Sequence, residues 1–153
     1  MEQDCCFIPL STDNRLVLKT AVDACLTETP DGSCPLFSNE NGLMADYDVS
    51  KVTDMNELFK NKESFNSDIA NWDTSNVINM YAMFYHAALF NNDVAKWDTR
   101  SVTRMDMMFY GASSFNGING DVSKWQTSEV TTMKGLFQGT AFNGDVSKWQ
   151  TGK

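Results

Sequence analysis

Four aspartates, Asp68, Asp93, Asp121 and Asp145, each follow a Phe-Asn opening (FNSD, FNND, FNGINGD, FNGD) and recur once per unit of a repeating sequence. If the units stack, these carboxylates form a column of like charges about 5 Å apart, repelling by ~1 kcal/mol or more even in water-like surroundings. Two arrangements would offset that repulsion. Each carboxylate can accept backbone N–H bonds inside its own Asn-x-Asp turn and face Lys96, Lys124 or Lys148. Alternatively the column can hold calcium, a hard ion that takes oxygen ligands shared between layers. The glycine-rich nonapeptide of calcium-binding β-rolls is missing, so calcium is the alternative reading and the turn is the main one.

The other reactive residues lie at one end. Cys5, Cys6, Cys25 and Cys34 are all the cysteines of the chain, and the repeated part has none. An even count confined to one end suggests a stapled cap, with three possible pairings. Adjacent Cys5 and Cys6 are poor partners for each other, so each is expected to reach Cys25 or Cys34. Free thiols are a second reading, and zinc is the weakest, because the spacing lacks paired CxxC geometry. Disulfides would place the protein in an oxidising compartment, the cell surface or exterior or an organelle lumen. The single histidine, His86, occupies a place held by Asn61, Gly111 and Gly139 in the other units, residues that share only tolerance of a positive φ. It is therefore expected to be a turn residue and not a base or ligand. No Cys-His or Ser-His-Asp set, phosphate loop or symmetry-breaking carboxylate pair is present, so no catalytic residue, cofactor or enzymatic activity is expected.

The chain has 153 residues, 42% of them hydrophobic, enough for one domain with a core. Its 12 basic and 20 acidic residues give a net charge of −8, which disfavours nucleic acid and anionic membrane surfaces as partners. No apolar run reaches the ~18–20 residues that span a bilayer. The opening MEQDCCFIPL has neither a basic nor an apolar leader region.

Two segments follow. Residues 1–45 read as a cysteine-containing cap and join. Leu18, Val22 and Cys25 fall on one helical face, Ser11, Thr12 and Asp13 offer N-caps, and Pro30 with Asp31-Gly32 ends the run. Residues 46–153 read as four units and a truncated fifth. Met55, Met80, Met105 and Met133 recur with Phe59, Phe84, Phe109 and Phe137, in register with Tyr47, Trp72, Trp97, Trp125 and Trp149. A period between 20 and 50 residues predicts a stack of coils that bury one side against their neighbours. Within one unit, Val102, Met105, Met108, Phe109 and Ala112 follow a helical stripe, with Thr99 or Ser101 as cap. The Asp-Val/Ile segments predict a short strand, with Phe, Val or Ile, and Trp pointing inward. The expected fold is thus an α/β repeat, a leucine-rich-repeat-like solenoid with one short parallel strand and one short helix per ~25-residue coil, plus an N-terminal helical cap.

The stretch WDTSNVINMYAMFYHAALFNNDVAKWDTRSVTRMDMMF carries a resemblance. The Trp-Asp-Thr-Ser opening, the Val and Met run ending in Met-Phe, and the Phe-Asn-x-Asp-Ile/Val followed by Trp resemble the repeat once catalogued as a mycoplasma domain of unknown function, related to BspA-type leucine-rich repeats. The cap, LKTAVDACLTETPDGSC, is similar to what precedes such repeats in many microalgal proteins. The resemblance implies a curved repeat fold and a surface or secreted binding role. Tyr47 stands where Trp is expected, and Gln126 and Gln150 replace the Asp after Trp.

These readings converge on a non-enzymatic protein–protein interaction or scaffold module, a subunit or surface component of a larger assembly. The alternative is a calcium-stabilised structural solenoid of a cell surface or wall. At KWQTGK the sequence lacks the covering segment that follows Trp in earlier units. Phe137, Phe142, Val146 and Trp149 are therefore expected to leave an apolar end. Either the chain is part of a longer array or this end docks on another protein subunit.

Overall fold

The structure is a computed structural model and describes residues 14–34 and 43–150. One α-helix, α1 (Asn14–Glu28), is followed by a single 3₁₀ turn (Met44–Asp46) and then by four consecutive units, 47–71, 72–96, 97–124 and 125–148, with Trp149 opening the next. Helix α1 turns Leu18, Val22, Cys25 and Leu26 into the core, the stripe its sequence spacing predicts. Its proposed caps, Ser11 to Asp13, lie outside the described residues.

The α/β solenoid expectation is wrong for this chain. Among the described residues α1 is the only α-helix, and no strand or sheet forms. What remains of sheet pairing is three isolated parallel bridges, Asp54 with Asn79, Asn79 with Arg104, and Arg104 with Thr132. The stretch expected to be helical, around 99–112, is a run of tight turns. Its residues Val102, Met105, Met108, Phe109 and Ala112 are all buried, so the apolar spacing was read correctly and the backbone was not. The φ angles show why. Glu57, Ala82, Met107 and Gly135, at the same place in each unit, sit at +55°, +50°, +56° and +68°, a left-handed conformation that no right-handed helix accommodates. The predicted strand fails for a related reason. The N–H of each Trp (72, 97, 125 and 149) bonds to the carbonyl three residues back (Ile69, Val94, Val122 and Val146), which folds the Asp-Val/Ile segment into a turn.

Hydrogen bonds between units replace those within elements. The N–H groups of Met55, Glu57, Phe59 and Asn61 donate to the carbonyls of Asn79, Tyr81, Met83 and Tyr85 at 2.7–2.9 Å. The same comb recurs from Met80, Ala82, Phe84 and His86 to Arg104, Asp106, Met108 and Tyr110, and from Met105, Met107, Phe109 and Gly111 to Thr132, Lys134, Leu136 and Gln138. Intervening N–H groups close local turns, as in Leu58 to Met55 and Lys60 to Glu57. These bonds pair backbone donors of the core without any regular element, as the cost of an unpaired buried amide favours. The second left-handed position in each unit is Asn61, His86, Gly111 and Gly139, with φ between +53° and +75°. His86 is therefore a turn residue as its counterparts predict, although the turn ends no helix.

Two columns of phenylalanine fill the interior. Phe59, Phe84, Phe109 and Phe137 lie 5.3–5.8 Å apart centroid to centroid, and Phe65, Phe90, Phe115 and Phe142 lie 5.7–6.2 Å apart. Within a unit the two rings stack at 3.8–4.0 Å. Trp72, Trp97 and Trp125 point inward, each 3% exposed. Each indole donates to a carbonyl one layer back: Met44, Ile69 and Val94 in turn. Buried Thr74, Thr99 and Thr127 donate forward to the carbonyls of Asp98, Gln126 and Gln150. Burying one such aromatic side chain stabilises by roughly 1.5–3 kcal/mol, so the repeated aromatics dominate the core.

Candidate interaction surface

Successive units cover one another, and α1 covers the first. Asp23 of α1 pairs with Lys62 at 3.1 Å, Arg15 donates to the Asn56 carbonyl and side chain at 3.1 and 3.0 Å, and the Asn66 N–H bonds the Asp31 carbonyl. The disulfide that fastens this cap joins Cys25 to Cys34, with Cα atoms 5.3 Å apart. This corrects the expectation that Cys5 and Cys6 reach those two residues, since both sulfurs are taken by each other. Helix α1 and the turn at Pro30 to Ser33 bring them together locally. Cys5 and Cys6 lie outside the described residues.

The fourth unit has no such cover among the described residues. Phe137, Phe142 and Trp149 pack against the core on one side and are only partly buried, and Val146 is 39% exposed. Their counterparts Phe109, Phe115 and Val94 are fully enclosed. Phe137 stacks on Phe142 at 3.8 Å and lies 5.9 Å from Trp149, which in turn stacks on Trp125 at 6.2 Å. Phe137, Phe142 and Trp149 thus lie together against the core, and the Trp149 N–H bonds the carbonyl of exposed Val146.

The carboxylate column is built from turns. Asp68, Asp93, Asp121 and Asp145 accept the N–H groups of Ala70, Ala95, Ser123 and Ser147 at 2.8–2.9 Å, so each Asp opens a turn and does not close the Asn-x-Asp one. The Ser123 and Ser147 N–H groups, then their hydroxyls, hold the Asp121 and Asp145 carboxyls below the ordinary value, with smaller help from Lys124 and Lys148. Among the described residues no group of three or more His, Cys, Asp or Glu side chains gathers closely enough to hold a metal ion.

A second carboxylate column escaped the sequence reading. Asp48, Asp73 and Asp98, just after Tyr47, Trp72 and Trp97, accept the N–H groups of Ser50, Ser75 and Arg100 at 3.0 Å. The Ser75 hydroxyl and N–H hold the Asp73 carboxyl low, against the like charges of Asp98 and Asp48. The signal was present as the Gln126 and Gln150 that interrupt the column. Also unanticipated is a surface ladder at positions where units differ. Arg104 lies over the Tyr81 ring at 4.2 Å and pairs with buried Asp106 at 2.8 Å, whose hydrogen bond pushes the guanidinium above its ordinary value. Tyr85 stacks on Tyr110 at 5.1 Å, with Lys60 5.7 Å from the Tyr85 ring.

Stacked units of this composition, with inward Phe, Met and Trp and a turn-forming Asp per layer, define a repeat protein. The chain belongs to the family described as "Mycoplasma protein of unknown function, DUF285", whose model matches residues 34–149. No curated protein and no solved structure matches it. Among the described residues no helix is long and apolar enough to cross a membrane.

Proposed function

We propose that the protein is a non-enzymatic protein–protein interaction or scaffold module that pairs with another protein subunit through the apolar face at Phe137, Phe142, Val146 and Trp149. One observation carries this reading. Among the described residues Phe137, Phe142 and Trp149 are only partly buried, and Val146 is exposed, at places whose counterparts in earlier units are enclosed. Exposed contiguous apolar surface of this kind marks an interaction site. The Cys25–Cys34 bridge supports an oxidising setting, at the cell surface or exterior or in an organelle lumen.

The test compares affinity capture from the source cells by the wild-type chain, by Trp149→Asp and by the control Asp68→Asn. Trp149→Asp is expected to lose a partner that the control retains, while amide exchange in the first three units is unchanged. Identical partners for wild type and Trp149→Asp refute the docking reading.

A further inference from the structure

In a stack of units, positions that pack between layers must repeat, while positions that only face solvent are free to differ. The Asp68, Asp93, Asp121 and Asp145 column keeps one residue type. On the flank that carries the surface ladder the units differ instead. Its bridged column is Asp54, Asn79, Arg104 and Thr132, the next is Asn56, Tyr81, Asp106 and Lys134, and a third is Lys60, Tyr85, Tyr110 and Gln138. The chain has four tyrosines; Tyr47 is in the core, and the other three are all on this flank, half-buried. Met107 lies beside Tyr110, both against Gly135, where an added Cβ would stand 3.5 Å from the Tyr110 ring and 3.7 Å from the Met107 side chain. Tyrosine, arginine and methionine are the types that concentrate at protein–protein contacts.

Ring orientation and charge narrow the partner. Tyr85 and Tyr110 stack with 9° between their planes, Lys60 lies over the Tyr85 ring at 5.7 Å, and Arg104 lies over Tyr81 at 4.2 Å. The faces of these rings are engaged along the stack, so edges and hydroxyls point outward and no flat platform is left for a sugar or a base. The cations are matched in place: Arg15 to Asp54 at 3.9 Å, Lys60 to Glu57 at 2.6 Å and Arg104 to Asp106 at 2.8 Å. Lys134 brings the flank to a net of +1, which leaves −9 for the rest of a chain whose total is −8. A near-neutral face draws neither a polyanion nor a polycation. It is also where two such acidic chains, which repel elsewhere, can approach.

A two-fold contact requires a face complementary to itself. A two-fold axis across the stack sets the second unit against the third unit of the other copy. Tyr85 then meets Tyr110, the Tyr81 hydroxyl meets the Asp106 carboxylate, and Arg104 meets Asn79. The first unit likewise meets the fourth: Asp54 against Thr132, Lys60 against Gln138, and Asn56 against Lys134. No like charges oppose each other in any of these pairs. We infer that this tyrosine-bearing flank is a self-association surface whose occupant is the same flank of a second copy of this chain. Four layers at roughly 5 Å each give a contact on the order of 1,000 Å² over both copies, which fits a weak, reversible pair. The contact is separate from the apolar face at Phe137, Phe142, Val146 and Trp149 and does not depend on it.

The experiment records amide spectra of the full isotope-labelled chain from ~20 μM to ~1 mM, with sedimentation equilibrium over the same range. The mass is expected to rise toward that of a dimer with a Kd between ~10 μM and ~1 mM. The concentration-dependent shifts are expected to fall within residues 54–60, 79–85, 104–110 and 132–138. Tyr85→Ser combined with Tyr110→Ser is expected to raise the Kd at least ~10-fold, while Trp149→Asp and the control Lys96→Ser leave it unchanged. The wild-type shift map requires no variant to fold, so it decides the matter even if the double variant unfolds. A monomer at ~1 mM overturns the inference. So does a dimer whose shifts fall instead at Phe142 to Trp149, one that Trp149→Asp abolishes, or one that the folded double variant forms with unchanged affinity.

Discussion

Replacing Phe84 with alanine tests whether the units are held together by the stacked rings. Phe84 is fully buried, with Phe59 at 5.4 Å on one side, Phe109 at 5.3 Å on the other, Phe90 at 3.9 Å within its own layer and Trp97 at 6.1 Å. A buried Phe→Ala change costs about 3–5 kcal/mol through lost transfer energy and the cavity left behind. Contacts on both faces leave little room for collapse, so about 4 kcal/mol is expected. Phe137 occupies the same place in the fourth unit but has a neighbouring ring column on one side only, Phe109 at 5.8 Å, with Phe142 beside it at 3.8 Å. With about half the shell missing, Phe137→Ala is expected to cost about 2 kcal/mol. Against a total of roughly 8–20 kcal/mol for a chain of this length, both are measurable. Urea denaturation followed by tryptophan fluorescence should separate the two midpoints by about 1 M if m is about 2 kcal/mol per M. An equal or larger cost at Phe137, or a cost below about 1.5 kcal/mol at Phe84, refutes the stacked-layer account.

Further expectations rest on other elements. Replacing both Cys25 and Cys34 by Ser opens a loop with a sequence separation of 9 and is expected to cost about 2–3 kcal/mol, seen as a lower melting temperature and earlier exchange of α1 amides. Tyr47 is buried, its hydroxyl has no partner among the described residues, and burial pushes its pKa up to about 12. Tyr47→Phe should therefore be neutral or stabilising by up to ~1 kcal/mol at neutral pH. It should also remove the loss of stability that sets in as pH rises above ~10, where the unfolded tyrosine ionises and the folded one does not. At the acid end, Asp48, Asp73, Asp98, Asp121 and Asp145 all lie below their ordinary value of 3.8. The folded state therefore favours their ionised forms, and their contribution is present above ~4 and lost as pH falls below it. Urea midpoints measured from pH 7 to pH 2 should drop in that window, and less so in Asp73→Asn.

The sequence by itself determined which side chains are inside. Phe, Met and Trp recur at fixed places, and a stacked position sees the same surroundings in every layer, so burial is written in one dimension. The same logic read the α1 face from Leu18, Val22 and Cys25, and the left-handed turn from Asn61, His86, Gly111 and Gly139. Backbone form was not legible. The stripe Val102, Met105, Met108, Phe109, Ala112 fits a helix and a chain of tight turns equally well, because both return to the same side every three or four residues. What separates them is where the N–H groups go. In a helix the partner is four residues back; here the Met105 N–H finds Thr132, a residue placed only once the neighbouring unit has folded against it. The disulfide was settled in the same way, since α1 and the turn after it set Cys34 beside Cys25.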